Sequence, residues 1–217
     1  MSYRADFHTH SVASPDGGLR LEHYRRMLQG GKLDFIAITD HNTTDMATQV
    51  QAELGDRIIV GEEITTQQGE IIGLYLQETI PPLLTALETV EAIRGQGGLV
   101  YIPHPFETLR KGLSLETLQG IAKQVDIIET HNGRAVFQNV TPQAIAWAEE
   151  HGVPGAASSD AHGFSGWGRT YTILARTPTR DNLPKLLGAA QTVRAFPGLH
   201  GMLYPKINRL QNRRKRV

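Results

Sequence analysis

Short apolar runs recur along the chain, and stretches of helical spacing separate most of them. Strand-like runs fall near 5–10, 34–40, 57–61, 69–76, 99–102, 125–131, 153–157, 170–175 and 193–196. Between them, residues 19–29 form a helical stretch that stops at Gly30-Gly31, and Thr43 and Thr44 cap a helix that reaches about Leu54. Pro81-Pro82 opens a helix with apolar positions 83, 84, 87 and 90, Ser114 caps another, and Thr141-Pro142 starts one that ends at Gly152. A further helix covers roughly 180–190. The run at 69–76 can hairpin onto the strand before it. Strand and helix alternating six or seven times imply an α/β fold with a parallel sheet covered by helices.

The runs end in a distinctive way. Residues two apart on a strand face the same side, so His8 and His10 aim at one point beyond the first run. Later runs finish at Asp40-His41, Glu63, His104, Glu129 or His131, and Asp160 with His162, and Asp16 follows soon after the first. Six of the nine histidines fall in this set. An open doubly wound sheet and a closed barrel both fit the alternation, but only a barrel gathers all those strand ends around one mouth. A barrel is therefore expected. Mixed imidazole and carboxylate donors suit Zn, Mn or Fe, whereas all-oxygen sites favour Mg or Ca.

Composition narrows the picture without redirecting it. A chain of 217 residues with 40% hydrophobic and 20% charged residues builds one sizeable domain, expected here over 1–200. There are no cysteines, which excludes disulfides and thiolate metal sites. No apolar stretch approaches the roughly 20 residues needed to span a bilayer, and the amino-terminal residues lack a basic-then-apolar signal segment. A cytoplasmic protein without a membrane partner is the expectation. Net charge is +0, yet Lys206, Arg209, Arg213, Arg214, Lys215 and Arg216 stand without an acid among them. Residues 201–217 accordingly read as a basic, solvated tail that leans slightly towards nucleic acid.

Six motifs resemble one family. Asp-x-His-x-His-Ser at 6–11, Pro-Asp-Gly at 15–17, Ile-Thr-Asp-His-Asn at 38–42, Gly-Glu-Glu-Ile-Thr at 61–65, His-Pro at 104–105 and Ser-Asp-Ala-His at 159–162 are similar, in order, to the PHP (polymerase and histidinol phosphatase) superfamily. The resemblance implies a distorted seven-stranded (β/α)7 barrel carrying two to three divalent ions at the carboxyl ends of its strands. One ion takes His8, His10, Glu63 and Asp160. A second shares Glu63 as a bridge and adds His104 and His131. A third takes Asp16, His41 and His162. Glu129 and His131 offer two donors of equal strand parity; His131 is favoured, because a neutral imidazole suits a site rich in carboxylates. Asp40 is expected to orient His41 or a loop.

The implied chemistry is hydrolysis of a phosphate ester, with a metal-activated hydroxide as attacker and Glu63, His104, Asp160 and Arg134 as the catalytic set. Arg134 and Arg169, near ligands in sequence, are candidate guanidinium clamps for phosphate. Arg110 and Lys111 read as polar loop, and Trp167 as either a lid over substrate or a loop anchor. The substrate class is a nucleotide, an oligonucleotide end or a small phosphorylated metabolite. Two other classes stay in view. An amidohydrolase-like C–N hydrolase needs a bridging strand-end lysine, and no lysine closes a strand run here. A non-catalytic PHP module would show lost ligands, and none is lost.

Overall fold

The computed structural model describes residues 2–135, 138 and 140–214. Its strands are β1 (Tyr3–Asp6), β2 (Phe35–His41), β3 (Ile58–Thr65), β4 (Glu70–Leu74), β5 (Leu99–Ile102), β6 (Ile127–Asn132), β7 (Gly155–Ser158), β8 (Tyr171–Leu174) and β9 (Gln191–Val193). Its α-helices are α1 (Leu21–Gln29), α2 (Asp45–Leu54), α3 (Ala86–Gly95), α4 (Leu115–Ile121), α5 (Thr141–His151), α6 (Leu183–Leu187) and α7 (Gly198–Arg214). All nine strands lie in one sheet, ordered β7-β6-β5-β4-β3-β2-β1-β8-β9.

The expected (β/α)7 pattern holds only in part. Strands β1, β2 and β3 pair in parallel, as do β5, β6 and β7. Between these blocks β4 runs antiparallel to both neighbours, and β8 and β9 add antiparallel pairs beside β1. The reason is connection length. The Thr66–Gly69 turn, closed by the Thr66 N–H on the Gly69 carbonyl (2.8 Å), is too short for a helical crossover, so β4 must fold straight back.

Side chains from β1 to β8 fill the barrel interior: Ala5, Phe7, Ala37, Ile59, Ile72, Leu74, Tyr101, Ile127, Ala156 and Leu174. Leu183 and Leu187 of α6 join the same cluster and plug the end away from the histidines. The opposite faces of the strands carry their own apolar layers. Ile36, Ile38, Ile58 and Val60 pack under α1 and α2, while Val100, Ile102 and Ile128 pack under α3, α4 and α5. This two-sided burial is why the parallel strands read as continuous apolar runs.

Local chemistry sets the helix bounds. The third helix starts at Ala86, later than Pro81-Pro82 suggests, because Thr85 and Glu88 form a reciprocal capping box. Ser114 caps α4, and Gly152 ends α5 in a left-handed conformation at φ 64°. The segment expected as a solvated tail is helical as far as Arg214; Lys215 and Arg216 lie outside the described residues. No helix among the described residues is long and apolar enough to cross a membrane.

The sheet comes close to closing on itself, and side chains complete the join. The Thr172 hydroxyl of β8 accepts the Ala157 N–H of β7 and donates to the Ala157 carbonyl, both at 2.9 Å. Beyond the strand ends, the His10 N–H bonds the Ala161 carbonyl (2.8 Å), and the Asp6 carboxylate accepts the Ser159 N–H, the Ser159 hydroxyl and the Trp167 indole N–H. Trp167 is thus a buried loop anchor, packed edge-on against Tyr24. Replacing Thr172 by Val leaves the Ala157 N–H and carbonyl without their buried partner and should cost about 1–3 kcal/mol. For a domain of this size the melting temperature should fall by roughly 3–10 °C, and Thr172→Ser should recover most of it. A Val variant that melts with the wild type would show that the seam contributes nothing.

Candidate metal centre

The strands deliver their polar ends to a single cleft. His8 and His10 extend from β1, His41 ends β2, Glu63 lies in β3, His104 follows β5, and Asp160 and His162 follow β7. His8, His10, Glu63, His104, Asp160 and His162 are buried, and His41 is partly so. His104 and Asp160 hold φ of 29° and 52°, in the left-handed region that non-glycine residues seldom occupy, so the backbone is bent there to aim the side chains.

The ring nitrogens are oriented from behind. His8 Nδ1 bonds the Glu129 carboxylate (3.2 Å), His10 Nδ1 bonds the Ser14 hydroxyl (3.2 Å), and His162 Nδ1 bonds the Asp160 carbonyl (2.9 Å). With Nδ1 engaged from behind in each ring, Nε2 is the atom turned to the cleft, and it offers a lone pair to a cation when that nitrogen carries no proton. His8 Nε2 and His10 Nε2 then face each other at 3.0 Å. Asp40 stands one step back, accepting the Ser11 N–H (2.7 Å), the Ser11 hydroxyl (2.5 Å) and the Ser14 hydroxyl (2.6 Å). It holds the loop and, through Ser14, the His10 ring.

Glu63 occupies the middle. Its Oε1 lies 3.0 Å from His104 Nε2 and 3.4 Å from His8 Nε2, and its Oε2 lies 3.1 Å from His41 Nδ1 and 3.3 Å from His10 Nε2. Asp160 Oδ1 sits 3.5 Å from His10 Nε2 and 3.7 Å from His8 Nε2. Asp16 Oδ1 lies 3.5 Å from His41 Nε2 and 3.6 Å from His162 Nε2. Two donors about 2.1 Å from one ion and 90–109° apart stand about 3.0–3.4 Å from each other. The observed spacings match that figure or exceed it slightly. Three overlapping groups can each surround an ion: His8, His10 and Glu63; Glu63, Glu70 and His104; His10, His41 and His162. Asp16 Oδ1 and His104 Nδ1 are buried without a hydrogen-bond partner. The donor set therefore fits divalent cations, and Glu63 is shared between two groups.

Protonation follows the same crowding. Burial opposes a charge on His8, but Asp160, Glu63 and Glu129 outweigh it and hold its pKa well above the usual value. Burial likewise opposes His41, and Glu63 and Asp16 raise it to about 9. His162 goes the other way, pushed well down by burial and by the neighbouring His10 and Arg134. Burial, then the charge of Glu63, lifts Glu70 to about 7.

Several expected positions are revised. The structure turns Glu129, not His131, towards the site. A bulge between residues 129 and 131 of β6 breaks the parity that made them equivalent. Besides His8, Glu129 accepts the His104 N–H (2.7 Å), the Asn132 amide (2.8 Å) and the Tyr101 hydroxyl (3.1 Å), whereas His131 is half-buried beside the Thr130 hydroxyl. Arg169 is exposed and donates to the Phe196 carbonyl (3.0 Å), away from the cluster. Arg110, expected as polar loop, pairs with Asp160 (2.5 Å) and grips both oxygens of Glu107. Arg134 lies beside the cluster, with Nη1 3.3 Å from Asp160 Oδ2 and Nε buried without a partner. Glu70 is new. It opens β4, and because that strand is antiparallel, its amino end arrives at the mouth; its carboxylate is 3.8 Å from His104 Nε2.

Several known proteins are similar to this chain in sequence or in fold. The PHP-associated family matches residues 142–192. An uncharacterised protein of Methanocaldococcus jannaschii is 33% identical over 150 residues, which span 63% of this chain and 88% of that one. A second from the same organism is 33% identical over 169 residues, 73% of this chain and 65% of that one. Among solved structures, a two-domain Bacteroides vulgatus protein containing a predicted PHP-like metal-dependent phosphoesterase superposes with a TM-score of 0.73 at 18% identity, covering 96% of this chain and 70% of the other. An amidohydrolase from Chromobacterium violaceum, solved with sulfate and no metal, gives 0.58 at 15% identity over 73% of this chain and 87% of its own. The chain belongs to one family with the first Methanocaldococcus protein, and the PHP-associated match, with the PHP-like fold, supports a PHP superfamily protein.

Proposed function

We propose that this protein is a metal-dependent phosphoesterase, cleaving a phosphate ester of a nucleotide, an oligonucleotide end or a small metabolite. One observation carries the reading: two buried imidazole Nε2 atoms converge at 3.0 Å beside both oxygens of Glu63, a cluster of donor atoms that a cation can hold together. His8, His10, Glu63 and Asp160 would hold one ion, His104, Glu63 and Glu70 a second, and Asp16, His41 and His162 a third. Zn, Mn or Fe suit these donors. Ions bound there supply the Lewis acidity that activates water and neutralises phosphate oxygens.

The chain's own residues do the rest. Glu63 spans the donor groups, with Oε1 facing His8 and His104 and Oε2 facing His10 and His41. Glu129, Tyr101 and Asn132 lock the His8 ring and the bend at His104. Arg134 lies in the wall of an open cleft of about 530 Å³ that also contains Asp16, Glu63, His104 and Arg110. Its Nη1 contacts to Asp160 are long, 3.3 and 3.4 Å, so the guanidinium is available to a phosphate oxygen. Arg110, tied tightly to Glu107 and Asp160, instead holds the carboxylate in place. A C–N hydrolase reading has less support, since Glu63 offers the bridging donor and no lysine closes a strand run.

Two measurements test this reading. His8 and His41 must lose their protons to accept an ion, so uptake should release protons, and apparent affinity should rise as pH goes from about 6 towards 9. Calorimetric Mn or Zn titrations in buffers of different ionisation enthalpy read this directly; affinity independent of pH, with no proton release, would contradict it. Hydrolysis of p-nitrophenyl phosphate and its bis ester should require the ion, and His8→Ala and Glu63→Gln should each lower kcat/KM by at least about 100-fold. Arg134→Lys should raise KM about tenfold with a smaller change in kcat. Ion-free protein that is fully active would sink the proposal.

A further inference from the structure

The carboxyl-terminal helix reaches into the mouth of the barrel, and three of its residues meet the loop that carries Asp16. Arg209 Nη2 lies 2.6 Å from Asp16 Oδ2. The Asn208 amide donates one hydrogen to the Asp16 carbonyl (2.8 Å) and the other to the His162 carbonyl (2.9 Å). The Asn212 amide donates to the Pro15 carbonyl (2.9 Å). Residues 208 and 212 lie one helical turn apart, so one face of α7 makes these contacts. Asn208 is buried, so its two bonds are not casual surface contacts.

Glycines make room for this docking. A Cβ on Gly18 would come within 2.9 Å of the Asn208 amide nitrogen and 3.1 Å of the His162 carbonyl oxygen. A Cβ on Gly163 would stand 2.5 Å from ring carbons of Tyr204, also on α7. Both glycines lie within two residues of a donor, Asp16 or His162. The result is a division of Asp16 into two halves. Oδ2 is neutralised by Arg209, and Oδ1 is left buried without a partner, facing His41 and His162.

We infer that α7 is a positioning element for the outermost ion: Asn208, Arg209 and Asn212 hold Asp16 and His162 at ligating separation and aim Asp16 Oδ1 between His41 and His162. This rests on the metal-dependent reading above. None of the three residues touches the ion. Asn208 fixes the distance between the two loops, Arg209 selects which carboxylate oxygen is free, and Asn212 pins the turn at Pro15. Orienting partners of this kind typically change metal affinity about 10–100-fold. The groups built on Glu63 share His10 with the outer one, but among the described residues no hydrogen bond or ion pair joins α7 to His8, His10, Glu63, Glu70 or His104.

The test counts ions. Wild type and the variants Asn208→Ala, Arg209→Ala, Arg209→Lys and Gly18→Ala are equilibrated with Mn at controlled free concentrations. Bound metal is then measured by mass spectrometry, and folding by circular dichroism. The expected result is that Asn208→Ala, Arg209→Ala and Gly18→Ala bind one ion about 10–100-fold more weakly while the remaining ions bind as in wild type. Arg209→Lys should recover part of that affinity, and Leu210→Ala, on the exposed side of α7, should match wild type. Variants that bind every ion like wild type, or that lose all ions together while folded, overturn the inference. Should Arg209→Ala not fold, Arg209→Lys and Gly18→Ala decide by the same count. A wild-type chain that binds its ions but cleaves no phosphate ester overturns the proposed reaction and leaves this result standing.

Discussion

Crowding of imidazoles and carboxylates at the floor of one cleft is the constraint around which this molecule is built. Five imidazoles, those of His8, His10, His41, His104 and His162, meet Asp16, Glu63, Glu70 and Asp160 within a few ångströms, most of them buried. Burying unpaired polar and charged groups costs several kcal/mol each in an apolar interior. Protons satisfy the cluster only unevenly, raising His8 and His41 while His162 is driven neutral. The cluster's donors are grouped so that they could hold divalent cations. The apolar plug of Phe7, Tyr101, Leu74 and their neighbours supplies the rigidity that keeps the donors from relaxing apart.

Behind the donors stands a second set of residues whose work is orientation. Ser14 and Asp40 serve His10; Glu129, Tyr101 and Asn132 serve His8 and His104; Arg110 and Glu107 serve Asp160; α7 serves Asp16 and His162. Each connects to a different strand or loop, so the geometry of the cleft is over-determined. That redundancy is what sustains left-handed backbone at His104 and Asp160. The same loops close the barrel, since Asp6 and Ser159 tie β1 to the end of β7 immediately beneath the donors. Stability and site geometry are therefore carried by the same bonds.

The sequence alone determined the strand-end histidines, Glu63 and Asp160, because a donor that follows an apolar run is visible as a local pattern and a period of two fixes its face. It also determined the apolar faces of the helices and, through the ordered motifs, the family. Tertiary structure decided what depends on strand direction, register and long-range docking. Glu70 reaches the mouth only because β4 runs backwards, and Glu129 rather than His131 turns towards the cluster where a bulge shifts the register by one residue. Arg169 misses the cleft and Arg110 enters it for reasons that lie in loop paths, not in spacing. The basic segment after residue 200 reads as a solvated tail until glycines at 18 and 163, far away in the chain, are seen to leave space for it. Nearest-neighbour patterns encode which residues can act; which of them meet is set by packing between segments that the linear order keeps apart.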